Sequence, residues 1–210
     1  MHDDTTIHDA RATGLVPAGA ALERLCTGAQ WGEGPVWLHE DASVLWSDIP
    51  NNRILRWNEA DGMTVWRDNA EFTNGHVREQ DGSILNCSHG QRAIVRTRFG
   101  AGLSNPLDEI VVDRYMGKRL NSPNDVVVKR DGTIWFSDPP YGIVSDREGH
   151  RAESELGDNY VFRFDPRTRE LTIATDFVEE PNGLAFSPDE TVLYVSDTSA
   201  ALRSDGGGHH

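Results

Sequence analysis

Short apolar strands separated by polar turns recur four times along the chain, and the four copies resemble one another. They read EGPVWLHEDASVLWSDI from Glu33, NGHVREQDGSILNCSH from Asn74, NDVVVKRDGTIWFSDP from Asn124 and NGLAFSPDETVLYVSDT from Asn182. Each copy consists of an apolar strand, a turn centred on an aspartate and a second apolar strand. A hairpin that recurs at intervals of roughly 40 to 60 residues is typical of a β-propeller.

Apolar and polar residues continue to alternate with a period of two after the hairpins, which predicts further strands. Third strands are predicted at RILRWN, AIVRTRF and YVFRFDP, and fourth strands at 64–68, 107–115 and 170–177. The tryptophans within these strands are interpreted as core between blades. The sequence therefore predicts an all-β chain of four-stranded antiparallel blades, about four in number, with the last blade incomplete.

Length, charge and cysteine content restrict the class of protein. The 210 residues are interpreted as one domain over 21–210, preceded by a flexible polar arm over 1–20. A net charge of −14 disfavours both nucleic acid and anionic membranes as partners. Two cysteines do not make a disulfide framework, and the polar N-terminus does not resemble a signal peptide. We therefore expect a cytoplasmic protein, whose oligomeric state the sequence leaves open.

Each of the four copies begins with a carboxylate or an amide. Equivalent positions of successive blades face the central axis of a propeller, so Glu33, Asn74, Asn124 and Asn182 are expected to lie close together. Oxygen ligands without thiolates suit a hard cation such as Ca²⁺ or Mg²⁺. Asparagines at strand ends also close turns through their own side chains. Because an oxygen-bearing side chain recurs at this position in successive blades, a shared cation is favoured over separate turn-closing roles.

The second strand of each hairpin returns to the same end of the blade. It brings Asp48, Asp138 and Asp197 back beside the residues that open their copies. For these aspartates a structural role, or one that supports the ligands, is favoured over direct ligation.

Two further side chains and one loop are candidates for this end of the propeller. His89 follows the second hairpin and is interpreted as a general base or as a polar residue packed beside the ring. Tyr141 lines the entrance or closes its turn. The long polar loop 143–158 covers one face or is a solvated insertion.

Three strings carry a resemblance to a known family: WGEGPVW, RLNSPNDVVVKRDGTIWFSDPPYG and EEPNGLAFSPDETVLYVSDT. Over about residues 25–200 the chain resembles the senescence marker protein/gluconolactonase/luciferin-regenerating family, which includes regucalcin and bacterial sugar lactonases. The resemblance implies a six-bladed β-propeller with a divalent metal, usually Ca²⁺, at its centre. It also implies hydrolysis of sugar lactones and a chain truncated before the last blades.

The resemblance assigns metal ligands residue by residue. It gives this role to Glu33 in the G-E-G-P string, Asn124 in P-N-D and Asn182 in P-N-G. Ca²⁺ is the expected ion, with Mg²⁺, Mn²⁺ and Zn²⁺ as alternatives. Members of the family supply a further aspartate, also the candidate base, from a later P-D-G string that this sequence does not contain. Asp138 and Asp197 are the candidates to replace that base.

Recognition of the sugar is expected to differ from that of regucalcin-like members, which place an arginine where this chain has Ser122. The candidate substrate-binding residues are Asn74, His89, Arg119, Asn121 and Tyr141.

The function that these features favour is metal-dependent opening of a small sugar lactone. One alternative is an organophosphate hydrolase of the same fold. The other is a non-catalytic calcium-binding propeller, or an inert fragment, in which the cation only joins the blades.

Overall fold

The structure, a computed structural model, describes residues 6–17, 19–100, 103, 105–202 and 204–208. Within these ranges the strands form three four-stranded sheets and two two-stranded sheets, and all pairings are antiparallel. Each four-stranded sheet follows chain order from its first to its last strand. The chain is therefore all-β, as predicted, and has the architecture of a partial propeller.

The blades follow one another along the sequence. The first contains β1 (Gly32–Leu38), β2 (Ser43–Asp48), β3 (Arg53–Asn58) and β4 (Gly62–Asp68). The second contains β5 (Thr73–Arg78), β6 (Ile84–Ser88), β7 (Ala93–Arg98) and β8 (Leu107–Val112). A small ribbon follows, with β9 (Arg114–Tyr115) and β10 (Lys118–Arg119). The third contains β11 (Val126–Val128), β12 (Ile134–Asp138), β13 (Tyr160–Asp165) and β14 (Glu170–Thr175). The fourth contains β15 (Pro181–Phe186) and β16 (Leu193–Asp197).

Helical structure in the described residues is confined to short turns. The α-helix α1 spans Tyr141–Val144, and 3₁₀ turns span Ala10–Gly14, Ile49–Asn51 and Ser199–Ala201. The first of these turns lies in the predicted arm and is capped by Asp9, whose carboxylate accepts a hydrogen bond from the Arg11 N–H. Residues 1–5 and 18 of the arm lie outside the described residues. No helix of the described part of the chain is long and apolar enough to cross a membrane.

The first strand of each blade is its inner strand, and these strands are neighbours in the order β1, β5, β11, β15. In three blades the pairing shifts register at the residue that opens the repeat or directly beside it. The shift lies between Glu33 and Val36 in β1, between Thr73 and His76 in β5, and between Pro181 and Leu184 in β15. A bulge bends a strand and redirects its side chains. The repeated bulges therefore act at the positions where the sequence places its candidate ligands.

Two apolar clusters fill the spaces between blades. The larger joins blades two and three around Phe136, Phe162 and Leu85, and the smaller joins blades one and two around Leu45 and Ile54. The prediction that tryptophans form this core is wrong for Trp37, whose exposed fraction is 45%. Aliphatic and phenylalanine side chains fill the core instead, and Trp66 packs against the edge of the smaller cluster.

Glycine at position 34 lets the first two blades approach each other. Its φ is +59°, and a Cβ there would lie 2.5 Å from the Asn74 carbonyl oxygen and 2.8 Å from the Gly75 Cα. Gly62 has a similar φ of +66° but open space around it.

We expect Gly34→Ala to lower the free energy of unfolding by about 3 kcal/mol or more, because backbone strain and overlap add. Gly62→Ala, the matched control, should cost about 1 kcal/mol from strain alone. Urea denaturation of both variants checks this. Equal losses would show that the blades do not depend on close approach at Gly34.

Candidate metal centre

One cavity of about 210 Å³ lies where the inner strands meet. Its lining includes all four residues that open the sequence repeats, namely Glu33, Asn74, Asn124 and Asn182. Gly34, Gly75 and Gly183, each one residue further along, also line it together with Pro35 and Asp125. The structure therefore brings together residues far apart in sequence, at the position that the repeat pattern predicts. The roles assigned to them stay predictions.

Glu33 is fixed by its neighbour two residues earlier. The indole Nε1 of Trp31 donates a hydrogen bond of 2.9 Å to the Glu33 Oε1. The guanidinium of Arg147 lies over the Trp31 ring, 5.6 Å from its centroid. Within the described part of the chain, no donor contacts the second carboxylate oxygen, which is thus available to the cavity.

The amide nitrogens of two asparagines have partners on their own blades. Nδ2 of Asn182 donates to Thr198 Oγ1 at 3.2 Å, and Nδ2 of Asn74 lies 3.4 Å from the His89 Nε2. No described residue donates a hydrogen bond to the Oδ1 atom of Asn74, Asn124 or Asn182. The oxygen atoms of these amides therefore accept no hydrogen bond from the described residues.

Hydrogen bonds between blades hold the main chain at each asparagine. Ser47 Oγ donates to the Asn74 carbonyl oxygen at 2.8 Å, and Ser137 Oγ donates to the Asn182 carbonyl oxygen at 2.6 Å. Cys87 occupies the corresponding place in blade two, and there the Gly75 N–H donates to the Asn124 carbonyl oxygen at 2.9 Å. Blades two, three and four are thus each tied to the preceding blade at their asparagine.

The three aspartates that end the hairpins have structural contacts. Both oxygens of Asp138 accept main-chain N–H groups, from Asn121 and Ser122, each at 2.8 Å. Asp48 accepts the N–H groups of residues 30 and 31, and Asp197 accepts that of residue 180. These bonds hold the segment that enters each inner strand. Asp138 and Asp197 are not among the residues that line the cavity, so the geometry does not favour either as the base.

Four of the five predicted substrate contacts are not among the residues that line the cavity, namely His89, Arg119, Asn121 and Tyr141. Asn121 is fully buried, and its amide binds the carbonyl oxygens of Asp138 and Asp158 while accepting from Ser154 Oγ. Arg119 donates to the Gln91 carbonyl oxygen at 2.6 Å. Arg119 ends β10 and Asn121 lies just beyond it, and the side chains of both are used in contacts to loops.

Tyr141 lies beside the cavity at Asn182. Its hydroxyl contacts the Thr198 hydroxyl and donates to Glu180 Oε2 at 3.2 Å. Burial raises the pKa of Tyr141 to about 12, so the phenol stays protonated at neutral pH. This geometry supports Asn182 and is compatible with a contact to a substrate.

Two carboxylates near Glu33 were missed by the sequence analysis. Asp125 lines the cavity, and its oxygens accept the N–H groups of Val126 at 2.9 Å and Leu184 at 2.7 Å. Glu148 belongs to the polar loop. Burial, together with the negative charge of Glu33, raises the pKa of both carboxyls. The P-N-D string pointed to Asp125, whereas no local pattern marked Glu148.

The donor set fits a hard cation. It combines a carboxylate from Glu33 with amide oxygens, without sulfur or imidazole at the cavity lining. Oxygen donors of this kind suit Ca²⁺ and Mg²⁺, and soft metals prefer thiolates or imidazoles. Among the described residues no group of three or more His, Cys, Asp or Glu side chains is placed to hold a metal. A cation here would thus depend on the asparagines.

The fold and the oxygen-lined axis define a β-propeller with a candidate cation site at its centre. The profile of the SMP-30/Gluconolactonase/LRE-like region matches residues 31–203, and the chain belongs to this family.

Several of the chain's relatives are named as lactone-cleaving enzymes. The gluconolactonase of Zymomonas mobilis is 35% identical over 91% of this chain and 55% of its own length. Pentonolactonase XacC of Haloferax volcanii is 28% identical over 83% of this chain and 52% of its own. A gluconolactonase structure from Xanthomonas campestris superposes with a TM-score of 0.74 at 44% identity, covering 81% of this chain and 55% of that one. The chain spans about half the length of these relatives.

Buried histidines should make stability depend on pH. Burial lowers the pKa of His76 and His89 to about 4 from 6.5. Between these values the unfolded chain binds protons that the native protein does not, so both residues make the protein less stable as pH falls.

We expect His89→Gln to reduce the slope of unfolding free energy against pH, between pH 6.5 and 4, by about 1.4 kcal/mol per unit. Urea denaturation across this range measures the slope. His8→Gln, at an exposed site, should leave the slope as in the parent chain. An unchanged slope in His89→Gln would mean that His89 is protonated in the native state.

Proposed function

We propose that this chain carries the cation-binding part of a lactone hydrolase that opens a small sugar lactone. The observation that carries the proposal is the convergence of Glu33, Asn74, Asn124 and Asn182 on one cavity at the axis. Membership of the family and the names of the lactonase relatives support the choice of reaction.

Glu33, Asn124 and Asn182 would hold the cation, for which Ca²⁺ is proposed on the chemistry of the donors. When bound, such an ion supplies a Lewis acid that polarises a carbonyl and stabilises negative charge on its oxygen. Glu33 would contribute the negative charge among the ligands, and the two asparagines would contribute neutral amide oxygens. Ties between blades keep these groups fixed before any ligand arrives.

The remaining residues bind the lactone and move a proton. Asp125 lines the cavity and is better placed than Asp138 or Asp197 to accept the proton of the attacking water. The Tyr141 hydroxyl stays protonated at neutral pH and donates to Glu180, so toward a sugar hydroxyl it would act as an acceptor. Loops determine which lactone fits, and the relatives' names already include both gluconolactone and pentonolactone enzymes.

A structural role for the cation is the second candidate. Each of its donors comes from a different blade, so a bound ion would join blades that are otherwise tied near the axis by a few hydrogen bonds. In this role the ion would raise the thermal stability of the chain without turnover.

We expect Glu33→Gln to abolish metal-dependent hydrolysis of an aldonolactone, because it removes the formal charge contributed by the proposed ligands. A pH-indicator assay with a panel of aldonolactones measures turnover, before and after EDTA and after Ca²⁺, Mg²⁺, Mn²⁺ or Zn²⁺ is added back. Glu59→Gln, on the exposed surface, is the matched control and should behave as the parent chain.

Three outcomes separate the candidates. Activity lost with EDTA and restored by metal in the parent chain, but absent in Glu33→Gln, supports the lactonase. A melting temperature that Ca²⁺ raises in the parent and not in Glu33→Gln, without turnover, supports the structural role. Turnover that persists in EDTA and in Glu33→Gln contradicts the proposed cation site.

A further inference from the structure

His89 lies between a candidate ligand and the polar loop. It follows β6, is fully buried, and contacts Asn74 through Nε2 and the main chain of Glu148 through Nδ1. No step of the proposed reaction uses this residue. Its two ring nitrogens nevertheless join the cavity to a segment almost 60 residues further along the chain.

The hydrogen bonds determine the state of the ring. The Glu148 carbonyl oxygen can only accept, so Nδ1 of His89, 2.8 Å away, carries the proton. A fully buried imidazole with no carboxylate partner is neutral, which leaves a lone pair on Nε2. Nε2 therefore accepts from the Asn74 amide nitrogen, at the long distance of 3.4 Å.

This arrangement fixes the direction of the Asn74 amide. With Nδ2 directed at His89, the carbonyl oxygen Oδ1 occupies the opposite branch of the side chain. Asn74 lines the cavity, and none of the described residues donates to this oxygen. A neutral acceptor at position 89 thus presents an oxygen, rather than an N–H group, to the centre.

The segment Arg147–His150, which we term the strap, is itself held in place. The His150 N–H donates to the Gly142 carbonyl oxygen at 3.0 Å. A Cβ at Gly149 would lie 2.0 Å from that oxygen, and one at Gly142 would lie 2.5 Å from the His89 Cβ. The strap therefore packs against Gly142 and Gly142 packs against the His89 side chain, which restricts movement of the Glu148 carbonyl.

The strap reaches the other side of the cavity as well. Arg147 lies over Trp31, and Trp31 donates to the Glu33 carboxylate. One end of the strap thus supports Glu33, and the middle supports Asn74 through His89. Two candidate ligands on different blades depend on one loop.

We propose that His89 is a positioning residue that directs the Asn74 carbonyl oxygen into the cavity and makes it a fourth donor to a divalent cation. This inference rests on the proposed function for the identity of the ligand. The hard cation is the class of ligand it fits, because Asn74 occupies the position in blade two that Glu33, Asn124 and Asn182 occupy in the others.

Two substitutions separate the nitrogens of the ring. In His89→Gln the amide oxygen replaces Nε2 and still accepts from Asn74, while the bond to Glu148 is lost. In His89→Asn the amide nitrogen replaces Nδ1 and still donates to Glu148, while the acceptor for Asn74 is lost. Both variants carry a neutral amide, and His89→Asn keeps the bond to Glu148, so a loss confined to His89→Asn reports on the bond to Asn74.

Calorimetric titration of the whole chain with Ca²⁺ is the test. We expect His89→Asn to weaken binding by about 10- to 100-fold, the effect typical of residues that orient metal ligands, and His89→Gln to stay near the parent affinity. In an Asn74→Ala background, His89→Asn should cause no further loss, because its effect passes through Asn74. Equal affinities of the two single variants, or additive losses in the cycle, would overturn the inference.

A second readout does not depend on the cation. The side-chain NH₂ signals of Asn74 in an NMR spectrum should keep slow hydrogen exchange in the parent and His89→Gln, and exchange faster in His89→Asn. If the parent chain binds no divalent cation, the proposed function fails. The role of His89 in orienting Asn74 is then supported by this pattern of exchange, and contradicted by equal exchange in all three proteins.

Discussion

Hydrogen bonds to the main-chain carbonyl of each inner-strand asparagine are the constraint on which the centre depends. Ser47 and Ser137 supply two of these bonds from their hydroxyls, and the Gly75 N–H supplies the third. A buried carbonyl without a partner would be costly, so each bond sets the separation of two blades. The same asparagines line the cavity with their side chains. The packing of the blades therefore also determines the geometry of the site.

Close approach of the backbones explains the glycines that follow Glu33 and Asn74. A Cβ at Gly34 or Gly75 would lie within 2.6 Å of a carbonyl oxygen on the next blade, so a larger residue would separate the strands. Blade three has Asp125 at the equivalent place and uses its carboxylate to accept the Leu184 N–H of blade four. Glycines thus allow close contact at the first two junctions, and a carboxylate forms a hydrogen bond across the third.

The repeat predicted both the hairpins and the gathering of Glu33 and Asn124, because propeller geometry converts equivalent sequence positions into neighbours at the axis. It did not reveal Glu148, which lies in an insertion with no counterpart in the other copies. Arg119 was misplaced for a related reason, since it was chosen by its distance along the sequence. The repeat predicts the features that every blade shares. The positions of loops and ribbons that occur in only one blade can be read only from the structure.

The strongest argument for a cation at the centre is the negative charge of the carboxylates around the cavity, rather than the identity of any single donor. Burial and the negative charge of Glu33 together raise the pKa of Asp125 and Glu148, so the negative groups near the cavity destabilise one another. A positive ion among them would reverse the sign of that interaction. Neutral amides complete the lining without adding further repulsion. An asparagine-rich shell around one carboxylate is therefore a physically consistent way to present several oxygens in a half-buried space.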